Sequence, residues 1–383
     1  MTSKISRRNS CGKFPHSMTI PDRNSVTIGG TILFLLFLIA GAIPYWQQQF
    51  HYFNAAEAGE GGCIGYDEVE NTIAVACNAS FLDVVQTINN PEILEDLGNG
   101  EYILKGNLEV ADGVTFEMTS NSENLQYLKI AGENGIIIYG KILIDGVKIT
   151  SWDISGEDVI QQNINGIIRR GYVQFVASEG SQIINSEFGY LGDVELGRRG
   201  FDLFGEGPSH DMEIRGNKFH DMWMAFYSSG AYNITVDSNE YYNNIKYALD
   251  PHTATYNMNI TNNYLHQNPI GVICSNSCHN ILIEGNLVEH NTDYGIFFSR
   301  NMYDSIARNN HVYNTTIGIF VSESPNNQIY NNTIETTTSQ GIRLQNPELP
   351  DDGLTEGNFV YNNTMTKSEN GIRAARSHDN ILE

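Results

Sequence analysis

The side chains best equipped for proton transfer stand together in one short segment, Tyr247-Ala-Leu-Asp250-Pro251-His252. Histidine titrates nearest neutrality, and a carboxylate close by can orient it and raise its pKa. Pro251 between them removes a backbone donor, which is costly in a strand unless it shapes a bend. Alone, Asp-Pro-His is a weak signal, because a histidine near an aspartate in a turn is often a satisfied corner. Its meaning depends on what holds it.

The holding elements are read from repeats. Asn217, Asn239, Asn263, Asn286, Asn310 and Asn332 recur at steps of 22, 24, 23, 24 and 22 residues. A second landmark, Ala248-Leu249, Gly271-Val272, Gly295-Ile296, Gly318-Ile319 and Gly341-Ile342, steps by 23, 24, 23 and 23. Two registers keeping one period mark a repeat architecture. Each repeat holds two or three short runs of alternating apolar residues between Asn or Gly corners, and nothing between them reads as a crossover helix. The 43 asparagines suit tight corners and disfavour helix interiors, which excludes a mainly helical protein. A strand-only repeat of 22–24 residues is one rung of a parallel β-helix, and the fold class is all-β. Like positions then stack ~4.8 Å apart, with corner asparagines able to bond in a ladder. Residues 80–120 are expected to supply an N-terminal cap over the open sheet edge.

Stacking turns the sequence into columns. Two residues after each small residue stand Asp202, Tyr227, Asp250, Ile273, Phe297, Phe320 and Arg343. Four after it stand Phe204, Ser229, His252, Ser275, Ser299, Ser322 and Gln345. Facing outward, these columns form a groove for a long polymer, holding Asp202, Tyr227, Asp250 and His252 with Arg300 and Arg343 further along. The alternative is that Ile273, Phe297 and Phe320 mark an inward column, leaving a buried Asp and His in need of partners.

At this point the sequence resembles the mannuronan (alginate) C-5 epimerases, whose Tyr-Gly-x-Asp-Pro-His signature stands here as Tyr247-Ala248-Leu249-Asp250-Pro251-His252. The flanks are similar to the periplasmic, alginate-biosynthetic branch: Phe219-His-Asp221-Met222-Trp223-Met-Ala-Phe226-Tyr227 upstream, and Tyr294-Gly-Ile-Phe-Phe-Ser299-Arg300 downstream. The resemblance runs from about Ser151 to Asn332. It implies a right-handed parallel β-helix that converts β-D-mannuronate to α-L-guluronate within a polyuronate. It implies His252 as base, Tyr247 as proton donor on the opposite face, Asp250 as orienter and Arg300 as neutraliser of the substrate carboxylate. Substrate-binding roles are expected for Asp202, Tyr227, Pro251, Lys246 and Arg343. Two departures stand out. Ala248 replaces Gly, and the Ser-Arg element comes one rung later than in that branch, where this chain has Ser275-Asn276. Lys246, Arg215 or Arg199 could supply the displaced positive charge.

Such chemistry removes a proton α to a carboxylate, so it needs a cation on that carboxylate, a base on one face and an acid on the other. If the 4-O-linked sugar leaves instead, the same intermediate makes the protein a uronan lyase. A non-catalytic glycan-binding β-helix is the other alternative. A copper-handling β-helix would want His/Met pairs in one column, whereas His252, His266, His279, His290 and His311 occupy different rung positions. Polygalacturonase-type hydrolysis needs close carboxylates, and Asp202 and Asp250 lie two rungs apart.

The chain has 45 acidic and 22 basic residues, a formal charge of −23. That balance argues against nucleic acid as a partner, and it should repel polyuronate at long range. Salt screening or a bridging Ca²⁺ would relieve this. No cofactor is otherwise implied, and Gly-Gly-x-Gly-x-Asp calcium repeats are absent. Residues 1–50 carry +4, leaving −27 for the rest. Val26 to Trp46 holds no charge and is long enough to span a bilayer. The expected organisation is a basic cytoplasmic segment (1–25), a transmembrane anchor (26–46), a linker (47–79) and the β-helix (80–383) outside the cytoplasm. Ala40-Gly41-Ala42 offers the rival of a cleaved, secreted form. Cys63 and Cys77 fit a disulfide in an exported segment. Cys274 and Cys278 lack zinc-like partners and read as buried thiols or a second disulfide.

Overall fold

The computed structural model describes residues 62–161, 165–205, 207–346 and 355–383. The anchor expected at 26–46 lies outside them. Among the described residues no helix is long and apolar enough to cross a membrane.

Alternating apolar runs form short strands, and polar corners turn the chain between them. Three sheets of 13, 12 and 13 strands result. One rung comprises Met224–Ser229, Tyr232–Asp237 and Glu240–Tyr242, and the next Tyr247–His252, Tyr256–Thr261 and Tyr264–His266. The strands of these rungs pair in parallel with their counterparts one rung on, as Met224–Ser229 does with Tyr247–His252. The periodic landmarks therefore become true neighbours: Leu249, Val272, Ile296, Ile319 and Ile342 lie in register. All five are fully buried in one continuous apolar core that runs through the solenoid. Each such side chain contributes roughly 1.5–3 kcal/mol of burial.

Corners are held by amides. Asn217 donates from Nδ2 to Asn239 Oδ1 at 3.0 Å, and the same bond repeats from Asn239 to Asn263, Asn263 to Asn286, Asn286 to Asn310 and Asn310 to Asn332. Each Nδ2 also reaches a backbone carbonyl, as Asn263 does to Val236 at 2.9 Å. These asparagines are about 1% exposed, so the ladder supplies partners for backbone groups that water cannot reach. The residue before the ladder takes the left-handed turn, and Asn262, Asn309, Asn331 and Asn362 do so at φ between 51° and 56°. The small-residue column is steric: a Cβ on Gly295 would stand 2.7 Å from Gly318 O and 2.4 Å from Val312 Cγ1.

At the N-terminal end the helix Phe81–Ile88 buries Phe81 and Val84 and begins with a capping box, Ser80 Oγ accepting from Asp83 N and the Asp83 carboxylate accepting from Ser80 N. Part of the expected linker is folded. Ile64–Asp67 and Thr72–Val75 form a hairpin whose second strand pairs with Asn107–Val110, so the first sheet starts before residue 80. The Cys63–Cys77 disulfide closes that hairpin. Cys274 and Cys278 are free, buried thiols.

Candidate active site

Strand parity builds the site on the outer face of the first sheet. Asp202 pairs with Tyr227 and Tyr227 with Asp250. The same column continues through Ile273, Phe297, Phe320, Arg343 and Arg373. Beside it run Ser229, His252, Ser275, Ser299, Ser322 and Gln345. The alternate positions, among them Ser228, Cys274 and Phe298, are fully buried on the core side. The columns thus face outward.

His252 is half-buried with both ring nitrogens engaged. Arg300 Nη2 lies 3.2 Å from Nε2, and Thr253 Oγ1 lies 2.6 Å from Nδ1. A guanidinium only donates, so Nε2 is the bare nitrogen and Nδ1 carries the proton toward Thr253. Burial first, then the Arg300 and Arg199 charges, pull the imidazole down to about 4. It is therefore neutral at physiological pH, its lone pair directed at Arg300. The arginine one rung too far along the chain does reach the motif: Arg300 follows Ser299 in a left-handed turn at φ 50°. Its side chain runs back past Ser275, donating to Ser275 Oγ at 3.2 Å, across two rungs to His252.

A second arginine lies beneath. Arg199 is 5% exposed, its guanidinium 3.5 Å above the centre of the Tyr227 ring and 5.6 Å from that of Phe204. Its Nε is 3.9 Å from Asp202 Oδ2, and its backbone N donates to the same oxygen at 3.2 Å. The Tyr227 and His252 rings are 5.4 Å apart. Asp250 is 3% exposed. Burial pushes its carboxyl up to about 8, against the pull of Arg199 and Arg300 and with the push of Asp202. Burial likewise raises Asp202 to about 6, opposed by Arg199. Asp250 is thus predominantly a neutral acid at pH 7. The Tyr247 phenol, at the corner of the same strand, is raised by burial first and then by the Asp250 charge, with Arg300 opposing. Arg199 Nη1, Asp202 Oδ1 and Asp250 Oδ1 are buried without a hydrogen-bond partner among the described residues, a costly arrangement of the kind found at functional sites.

The structure brings His252, Tyr247, Asp250 and Arg300 together, with Tyr227 beside them. It separates others. Asp202, expected to touch substrate, has no exposed surface and instead meets Arg199. Pro251 is buried and pairs with core-facing Ser228, so it shapes the strand and does not line the groove. Lys246 is exposed with Nζ 5.5 Å from the Trp223 ring. Arg343 stands four rungs from Asp250, over the Phe320 ring at 4.9 Å. Arg215 pairs with Glu213 and Asp237 on the second sheet. Ser275, which holds the arginine, carried no signal beyond its place in the column, and Thr253, which fixes the tautomer from the turn after the strand, carried none. Among the described residues two side-chain sets offer metal-ligand spacing, Glu179/His210/Asp211 and Glu356/His378/Asp379. Both stand where the chain enters the second sheet, apart from this groove.

A family model described as a right-handed β-helix region matches residues 203–348. The mannuronan C5-epimerase of Pseudomonas aeruginosa is 24% identical over 184 residues, which cover 45% of this chain and 33% of that protein. The chain thus spans about a third of the length of that relative. Among solved structures, the periplasmic alginate epimerase AlgG superposes with a TM-score of 0.65 at 18% identity, covering 82% of this chain and 84% of that one. The Dettilon tailspike protein gives 0.52 at 15% identity, covering 72% and 61%. The resemblance to the alginate epimerases thus returns in both sequence and structure comparisons, and the fold of this chain is the right-handed parallel β-helix that it shares with the alginate epimerase.

Proposed function

We propose that the chain is a mannuronan C5-epimerase acting on an acidic polysaccharide. The observation that carries this is the contact of Arg300 with His252 Nε2, which sets a cation beside a neutral base on the outer face of the first sheet. A uronate carboxylate arriving in the groove competes for Arg300 and frees the Nε2 lone pair. His252 then takes the C5 proton, and the C–H electron pair spreads into the carboxylate as an enediolate held by Arg300. Tyr247 returns a proton to C5 from the opposite face, inverting it, and His252 and Tyr247 reset by exchange with solvent. Asp250, kept neutral by burial, stands near Arg300 without drawing its charge from the substrate. The similarity to the Pseudomonas mannuronan C5-epimerase supports this reading.

The same intermediate yields a lyase if the 4-O-linked sugar departs. Incubating polymannuronate with the full chain and scoring guluronate by proton NMR, with unsaturated chain ends by ultraviolet absorbance, separates the two. Guluronate without unsaturated ends is expected; unsaturated ends alone make it a lyase, and neither makes it a binding scaffold.

We infer further that the β-helix works outside the cytoplasm, in keeping with the Cys63–Cys77 disulfide and the oxidising compartments where such bonds persist. Residues 26–46 would anchor it. Protease added to intact cells should then digest the β-helix while the protein sediments with membranes.

A further inference from the structure

Past the catalytic cluster the groove changes character. One and two rungs beyond His252 the outer column reads Ile273 and Phe297, then Phe320. Phe297 and Phe320 stack at 4.7 Å with 3° between planes, and Tyr294 packs edge-on against both. Arg343 lies over this platform and is in register with Arg373 on the last rung. Arg343 donates from Nε to Gln345 Oε1 at 2.7 Å, and no carboxylate pairs with Arg343 or Arg373 among the described residues. Like charges stacked in register repel, and here Arg373 and Arg376 both act to lower the Arg343 pKa, after burial. In a chain of net charge −23 a stacked pair of arginines with no acid paired to either among the described residues is the reverse of what composition would place there.

We propose that the Tyr294/Phe297/Phe320 platform and the Arg343/Arg373 pair form a distal subsite for the anionic polymer, which ranks substrates by chain length. The inference rests on the polyuronate reading above. Arg343 and Arg373 stand four and five rungs from Asp250, ~19 and ~24 Å along the stack. A pyranose with its glycosidic oxygen spans about one rung, so a chain running along the column passes across the edges of Phe297 and Phe320, whose faces are turned to each other and to Arg343. Its carboxylates about four to five sugars from the reacting one meet the two guanidiniums. Shorter chains end before the arginines.

The test is binding of a mannuronate trimer and a mannuronate octamer by calorimetry at low salt, using the full chain, R343Q/R373Q and R343K/R373K. The wild type should prefer the octamer, and R343Q/R373Q should cut the octamer-to-trimer affinity ratio by about tenfold, the worth of two exposed charge contacts. R343K/R373K should restore most of it, which a folding defect would not allow. A ratio unchanged in R343Q/R373Q overturns the subsite while leaving the epimerase reading intact. Retained length discrimination that fails in R343Q/R373Q, in a protein that does not epimerise, supports the subsite and sinks the activity. Absence of binding to either oligomer by the wild type overturns both.

Discussion

Replacing Arg300 by Gln should move the His252 titration upward by a definable amount. The imidazole stands near 4, with burial the first cause and the Arg300 charge the second. The guanidinium sits 3.2 Å from Nε2 on an exposed side chain, where an effective dielectric of about 40–80 gives a repulsion of roughly 1–3 kcal/mol toward the protonated ring. At about 1.4 kcal/mol per pKa unit that is about one to two units. Arg300→Gln should therefore lift His252 to about 5 or 6, leaving burial to hold it below the ordinary value of 6.5. Proton–carbon NMR of ring-labelled histidine, with His252→Ala to assign the resonance, reads this directly. A titration that stays at its wild-type position would mean that the two side chains do not meet in solution. A return to the full ordinary value would mean that burial does little, and the account of a desolvated base would fail.

Activity should follow the same groups. kcat/KM is expected to fall as pH drops through the His252 titration and again as pH rises past about 8, where Asp250 loses its proton; Asp250→Asn keeps that position neutral, so the alkaline limb should move higher while turnover persists. An alkaline limb unchanged in the variant would remove Asp250 from the account. Asn263→Ala strips partners from Asn239 N, Asn239 Nδ2 and Val236 O, all buried, and should cost about 2–5 kcal/mol in urea unfolding; a loss under about 1 kcal/mol would show the ladder to be incidental. Reducing Cys63–Cys77, which closes a loop with a sequence separation of 14, should destabilise the terminal hairpin by about 3 kcal/mol, seen as earlier hydrogen exchange at 64–75 but not around Tyr247–His252.

Much of this was legible because a solenoid writes its register into the sequence. Asn217 to Asn332 and Ala248 to Gly341 keep one period because each must stack on its own kind, and from that period parity alone puts Asp250 and His252 outward. What parity does not reveal is the path of a long side chain. By rung count Arg300 is one rung too far, yet its left-handed turn returns the guanidinium to His252. Arg199 folds over Tyr227 and covers Asp202, turning an expected sugar contact into a buried counter-ion. Pro251 stands at the inward parity beside Ser228, a position that the alternation around Asp250 and His252 itself requires. The hairpin at 64–75 has strands of four residues, too short to announce themselves except through the cysteines that close it.

On this mechanism His252 removes the C5 proton of a polymer-bound uronate. The most direct measurement is the deuterium content at C5 when polymannuronate is incubated with the full chain in D₂O, beside His252→Ala. Guluronate carrying deuterium at C5 is expected with the wild type and none with the variant. Guluronate formed equally by His252→Ala, or formed without deuterium at C5, would contradict it.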